Sequence, residues 1–213
     1  MTNILGFDIS SLQGANIDFT KTKQSGYQFV IIRASIGNDG ADRLCVSNVN
    51  AAKAAGLLVG IYNVTYSLRP DGGIHPFRDP IEQANQHWAF CQQFGIIATW
   101  QDVEQPEPST WQLKGIDGEY CTDWILTYAQ HYQDLSGIKL GLYTYAPYLA
   151  ALGSPTSFAD QFSSLWLACY GKQPPAPKPF GQYALLQNCG DARLPGVSPI
   201  VDTDICFDTS VFV

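Results

Sequence analysis

The stretch CVSNVNAAKAAGLLVGIYNV, residues 45–64, carries two different periodicities. Over 45–55, Cys45, Val49 and Ala52 recur at helical spacing, and Gly56 is a natural helix stop. From Leu57 the pattern changes to a short apolar run, LLVGIYNV at 57–64, which reads as a strand buried on both faces. A similar run, FVIIRAS at 29–35, precedes the helix. Strand, helix, strand at this interval is the βαβ unit, whose crossover sets its two strands parallel.

Outward from this unit the same kind of run recurs as ILGFDI at 4–9, IIATWQDVE at 96–104, IKLGLYTY at 138–145, SLWLACY at 164–170 and YALLQN at 183–188. Helical patterns fill 82–94, with Ala84, Trp88 and Cys91 ahead of Gly95, and 119–135, with Cys121, Ile125, Tyr128 and Tyr132. The first strand is followed by neither GxGxxG nor a P-loop, so an open nucleotide-binding sheet has no support and a closed barrel is preferred. Complete (β/α)₈ barrels take about 250 residues. This chain has 213, and its helical patterns fade after residue 160. The expected fold is α/β: a single TIM-like β/α barrel spanning 1–213, with an irregular second half whose later helices are reduced or missing. SLRPDGGIHPFRDP (67–80) is expected at the C-terminal mouth, and KQPPAPKPFG (172–181) reads as a stiff loop within the domain.

Composition narrows the function. Charged residues are 15%, below the roughly 25% usual for globular domains, while 46% of the chain is hydrophobic. The net charge of −7 comes without any basic cluster, which argues against nucleic acid and anionic membrane as partners. No run of about eighteen apolar residues suggests a membrane span. The start, MTNILGFDIS, shows no signal peptide, so synthesis in the cytoplasm is expected. The six cysteines (Cys45, Cys91, Cys121, Cys169, Cys189, Cys206) form no CxxC pair and read as buried small residues, with a Cys189–Cys206 disulfide as the alternative. His75, His87 and His131 show no HExxH, and no metal or cofactor is expected; His87 and His131 are expected on helix surfaces. There is no G-x-S-x-G elbow. The sequon at Asn63-Val64-Thr65 falls in an expected strand and reads as chance.

The residues with chemical content gather at strand ends, where a β/α barrel builds its active site. Asp8 ends the first strand, and Tyr62 lies on the third. In TWQDVEQP (99–106), Asp102 and Glu104 stand two apart, which puts them on one face of a strand, about 6–7 Å apart along it. Tyr143, Trp166 and Tyr170 follow on later strands, and SPIVDTDICFD (198–208) adds Asp202 and Asp204 in another alternating run. Two close, desolvated carboxylates are expected to separate in pKa, one rising and one falling. Glycoside hydrolysis needs that pair: an acid for the leaving oxygen and a carboxylate for the positive sugar carbon. Tyrosine and tryptophan suit the apolar faces of sugar rings. As a structural reading, such carboxylates can instead cap helices, and aromatics at strand ends can be core.

GFDISSLQG at 6–14, YQFVIIRAS at 27–35, AAGLLVGIYNV at 54–64, WQDVE at 100–104, GLYTY at 141–145, LWLACY at 165–170 and LQN with PGVSPIVDTDICFD at 186–208 together resemble glycoside hydrolase family 25, the Chalaropsis-type lysozymes of phages, bacteria and fungi. The resemblance implies an N-acetylmuramidase that cuts the β-1,4 bond between N-acetylmuramic acid and N-acetylglucosamine in peptidoglycan. It implies Glu104 as general acid, Asp102 as the carboxylate that stabilises or orients the intermediate, and Asp8 and Asp202 as supporting acids. Tyr62, Tyr143, Trp166 and Tyr170 match groove-lining aromatics. The substrate's own N-acetyl group is a candidate internal nucleophile. The chain departs from the family's usual pattern at Asn63-Val64, Arg33, Leu186-Gln187-Asn188 and Cys169, and a single catalytic domain without the separate cell-wall-binding module of many endolysins is expected. A monomer acting on the bacterial wall after release is the expectation. The rivals are a non-catalytic glycan-binding or virion structural protein on the same barrel, and a metal-dependent phosphodiesterase.

Overall fold

The computed structural model describes residues 3–37, 40–65, 79–104 and 118–213. Positions 67–78 of the expected mouth loop, His75 among them, and the Gln105-Pro106 end of TWQDVEQP lie outside the described residues. Eight strands close a barrel in chain order: β1 (Ile4–Ile9), β2 (Tyr27–Ile36), β3 (Leu58–Val64), β4 (Thr99–Asp102), β5 (Gly141–Thr144), β6 (Leu165–Ala168), β7 (Leu185–Ala192) and β8 (Val201–Cys206). β1 to β7 run parallel to their neighbours. β8 runs antiparallel to both β7 and β1. The chain leaves little choice: only residues 193–200 separate β7 from β8, and a parallel crossover needs a dozen or more. Because β8 is reversed, its first residues lie at the mouth where the other strands end, and Asp202 pairs directly with Asp8.

Among the described residues the helices are α1 (Phe19–Gln24), α2 (Cys45–Ala54), α3 (Pro80–Phe94), α4 (Gly118–Ser136), α5 (Ala146–Ala151) and α6 (Ser157–Gln161). The three long ones are those the periodicity predicts. α3 starts with Pro80 in its first turn and an Asp79 carboxylate that accepts from Ile81 N–H, and it ends at Gly95 with φ 60°. The three short ones bury few residues and give no readable period. Beyond Gln161 there is no further α-helix among the described residues, so the second half is irregular as expected.

Alternation along each strand divides the apolar residues into two cores. Val30, Ile32, Ile61, Val103, Leu142 and Leu165 face outward against helix residues such as Val49, Ala84, Ile125 and Tyr128. Ile4, Phe29, Ile31, Trp100, Trp166 and Leu185 fill the barrel interior. Trp100 fits there because glycines face it. A Cβ on Gly60 would come within 2.6 Å of its ring, and one on Gly141 within 2.3 Å. Phe212, near the C-terminus, packs edge-on against Trp100 and closes the lower end.

His87 departs from its expected place on a helix surface. It is fully buried on α3, at the centre of a polar chain between the helices and the barrel wall. Ser35 Oγ donates to Asn63 Oδ1 at 2.5 Å, and Asn63 Nδ2 donates to the Tyr128 hydroxyl at 2.9 Å. That hydroxyl is 2.8 Å from His87 Nδ1, and His87 Nε2 is 2.6 Å from Thr99 Oγ1. Each ring nitrogen thus has a hydroxyl partner, which satisfies a neutral imidazole. Burial holds its pKa down at about 3. Asn63 is likewise fully buried, which removes it as a glycan acceptor.

All six cysteines are free, four of them buried. A Cys189–Cys206 disulfide does not form: the β7–β8 register sets Cys206 opposite Leu185 and Cys189 opposite Thr203. Among the described residues no helix is long and apolar enough to cross a membrane.

Candidate active site

The interior-facing positions near the strand ends are polar. Phe7 and Ile9 pack outward, so Asp8 between them points into the barrel. Val103 packs outward in the same way, which turns both Asp102 and Glu104 toward the mouth. The Asp102 carbonyl is pinned by the backbone N–H of Thr65 at 2.9 Å and its hydroxyl at 2.6 Å, and Val103 N–H donates to the Tyr143 carbonyl at 2.9 Å. Hydrogen bonding to β5 therefore continues one residue past β4, to Val103, and Glu104 lies just beyond it. Asp102 is buried and Glu104 is exposed.

Asp8, Asp102, Glu104 and Asp202 converge, and they couple electrically. Burial and the neighbouring Asp202 raise Asp8 to about 7. Burial, then the Glu104 charge, raises Asp202 to about 6. Asp102 is pushed well up by burial, then by Glu104 and Asp8, against the lowering effect of Arg33. Partial desolvation raises Glu104. The expected split, one pKa up and one down, is not what the structure has. Every acid of the cluster is raised, because burial acts on all of them and Arg33, the opposing cation among the described residues, is committed elsewhere. Its Nη2 lies 2.8 Å from Asp42 Oδ2, which also accepts the Ser11 N–H at 2.9 Å.

The four aromatics fall in different places. Tyr143 and Tyr170 join Glu104, Tyr145, Ala168 and Cys169 around an open cavity of about 250 Å³. Tyr170 is 57% exposed. Tyr62 is nearly buried beside the acids. Trp166 is 1% exposed and edge-on to Tyr143, with ring centroids 4.5 Å apart, so it forms the floor under the mouth. Gln187 and Asp204 complete the set. Gln187 Oε1 accepts from the hydroxyls of Tyr143 (2.9 Å) and Tyr170 (3.1 Å), and its Nε2 donates to Asp8 Oδ2 at 2.8 Å. Asp204, two residues from Asp202 and on the same face, accepts Trp166 Nε1–H at 2.8 Å. The sequence showed Asp204 only as a member of the alternating run SPIVDTDICFD and gave it no role at the site; Gln187 and Arg33 carried no signal beyond their inward parity. Among the described residues no group of three His, Cys, Asp or Glu is arranged to hold a metal ion.

A β/α barrel whose mouth presents several carboxyl groups with raised pKa, bordered by tyrosines, defines a glycoside hydrolase type of site. Comparison with known proteins agrees. The chain belongs to the glycosyl hydrolases family 25, whose profile matches residues 7–197. It is similar to Lysozyme M1 of Streptomyces globisporus, 25% identical over 94% of this chain and 67% of that one. Among solved structures, the family 25 lysozyme of Aspergillus fumigatus is 26% identical with a TM-score of 0.77, covering 97% of this chain and 95% of the other. The bacterial lysozyme of Streptomyces coelicolor shares the fold with a TM-score of 0.82, at 23% identity, across 100% of this chain and 96% of its own.

Proposed function

We propose that this glycoside hydrolase is a peptidoglycan muramidase in which Glu104 protonates the leaving glycosidic oxygen. The observation that supports Glu104 is its placement: it is the solvent-open member of the acid cluster, it borders the cavity shared with Tyr143 and Tyr170, and its pKa is raised. A carboxyl with a raised pKa keeps its proton at a pH where an ordinary one has lost it, which a general acid requires. Asp102, buried one layer deeper on the same face, orients or stabilises the intermediate formed when the substrate's N-acetyl group closes on the sugar carbon. Asp8 and Asp202 support the positive charge that develops there. Tyr143 and Tyr170 offer faces to the sugar rings, Tyr62 borders the acids, and Trp166 carries Tyr143 from below.

Clearing of purified bacterial walls by wild type and Glu104→Gln tests this reading. Loss of the general acid is expected to slow turnover roughly 10²–10⁴-fold, with an unchanged thermal transition. Near-normal clearing by the variant would remove Glu104 from the role.

A further inference from the structure

The acid cluster contains one buried carboxyl, Asp204, to which the proposed hydrolysis assigns no role. Asp204 is 1% exposed, and its Oδ1 takes the Trp166 N–H. Its Oδ2 is buried with no N–H or O–H donor. The neighbouring carboxyl is that of Asp8: in the β1–β8 register Asp202 pairs with Asp8 and Asp204 with Gly6, so Asp8 and Asp204 both lie on the interior face, and their contact lowers the pKa of Asp8 and raises that of Asp204. Two carboxylates can hydrogen-bond only through a proton carried by one of them.

The surroundings decide which one. Gln187 is held in one orientation, because both tyrosine hydroxyls donate to its Oε1; its amide N–H then points at Asp8 Oδ2 and favours a negative charge there. Asp204 is the more deeply buried of the two, where an ion is costlier. We propose that Asp204 keeps its proton through the neutral range and donates it to Asp8, making Asp204 a positioning residue that, together with Gln187, holds the Asp8 carboxylate in place under the sugar. This rests on the muramidase reading for its purpose, though not for its chemistry.

The groups that bear on the pair separate its two members: burial and Asp202 raise both, while Gln187 lowers Asp8 and the Trp166 N–H lowers Asp204. Burial, Asp8 and Asp202 hold the proton on Asp204, against the Trp166 N–H. Glu104, two residues beyond β4, adds to the burial and the Asp202 charge that raise Asp8, and Asp8 in turn adds to the burial that raises Asp102, Tyr62 and Tyr170. Arg33 on β2 lowers Asp102 and Tyr62. The Asp8–Asp204 pair thus enters the neutral range with at least one proton, on the member that solvent does not reach.

The test compares Asp204→Asn with Asp204→Ala. An asparagine keeps an oxygen for Trp166 and supplies a permanent N–H donor for Asp8. Activity within a fewfold of wild type, with a pH profile of the same shape, is expected for Asn. The Ala variant loses a hydrogen bond to a charged group, and kcat falls roughly ten- to a hundredfold with little change in KM. Abolished activity in a folded Asn variant would overturn the proposal, because it would mean that Asp204 works as a charge. The infrared difference spectrum between wild type and Asp204→Asn at neutral pH gives a readout independent of turnover. A neutral carboxylic-acid C=O band present in wild type and missing in the variant supports the proton; an ionised-carboxylate difference refutes it. If wild type releases no sugar from walls, the muramidase reading fails while the infrared result still decides the proton.

Discussion

Replacing Asp8 by Asn should make the protein more stable near neutral pH while harming its activity. Asp8 is 6% exposed, and its pKa is raised from 3.8 to about 7, first by burial and then by Asp202. The unfolded chain gives up this proton near 3.8 and the folded chain near 7. The folded state therefore binds more protons between those values. The contribution to stability is full below about 3.8, shrinks as pH rises, and is lost above about 7. A shift of about three units at 1.36 kcal/mol each is an upper bound of about 4 kcal/mol, and sharing of the charge with Asp202 and Glu104 brings the expectation to about 2–4 kcal/mol. Asparagine cannot ionise, and its oxygen still accepts from Gln187. Urea unfolding of both proteins near pH 3.5 and near pH 8 should give coincident midpoints at the acid end and a variant more stable by about 2–4 kcal/mol at the alkaline end. Buried His87 titrates in both proteins and cancels in the comparison. An Asp8→Asn variant equal to or weaker than wild type near pH 8 would refute the claim that the mouth is held in an electrostatically strained state.

Two further perturbations probe the frame around the site. Tyr128→Phe removes the hydroxyl between Asn63 Nδ2 and His87 Nδ1 and strands both in a fully buried place, so urea unfolding should show a loss of about 2–4 kcal/mol; a loss below about 0.5 kcal/mol would mean that the chain of hydrogen bonds is not continuous. Gly141→Ala drives a Cβ to 2.3 Å from the Trp100 ring and 2.8 Å from Ser164 Oγ, with an expected loss of about 1–3 kcal/mol and a shifted tryptophan emission; an unchanged emission spectrum would mean that Trp100 does not fill that space.

The barrel was legible in the sequence because a strand buried on both faces is a continuous apolar run, and seven such runs fell in order with β1 to β7. The reversed β8 was legible only in part. Its alternation was visible, but its direction follows from the length of the 193–200 connection, which periodicity does not report. α1, α5 and α6 are short enough that propensity leaves no period, and neighbouring packing decides them. Position at strand ends marked Asp8, Asp102, Glu104 and Asp202 as candidates, since a charge inside an apolar strand stands out; Asp204 was visible only as part of the last alternating run. Gln187 did not stand out. A neutral amide becomes informative only when its partners, which come from β1, β5 and the end of β6, are known. His87 was misplaced for a related reason: a histidine on a helix reads as surface until Thr99, Tyr128 and Asn63 are seen to satisfy both of its nitrogens and the hydroxyl beside them.

The central claim is that this mouth cleaves wall glycan on the reducing side of muramic acid, with Glu104 as the acid. Mass spectrometry of fragments released from purified peptidoglycan, after reduction of the new ends, tests it most directly. The account predicts reduced N-acetylmuramic acid at every new end with wild type, and loss of those fragments with Glu104→Gln. Reduced N-acetylglucosamine at the new ends, or equal release by the folded variant, would contradict it.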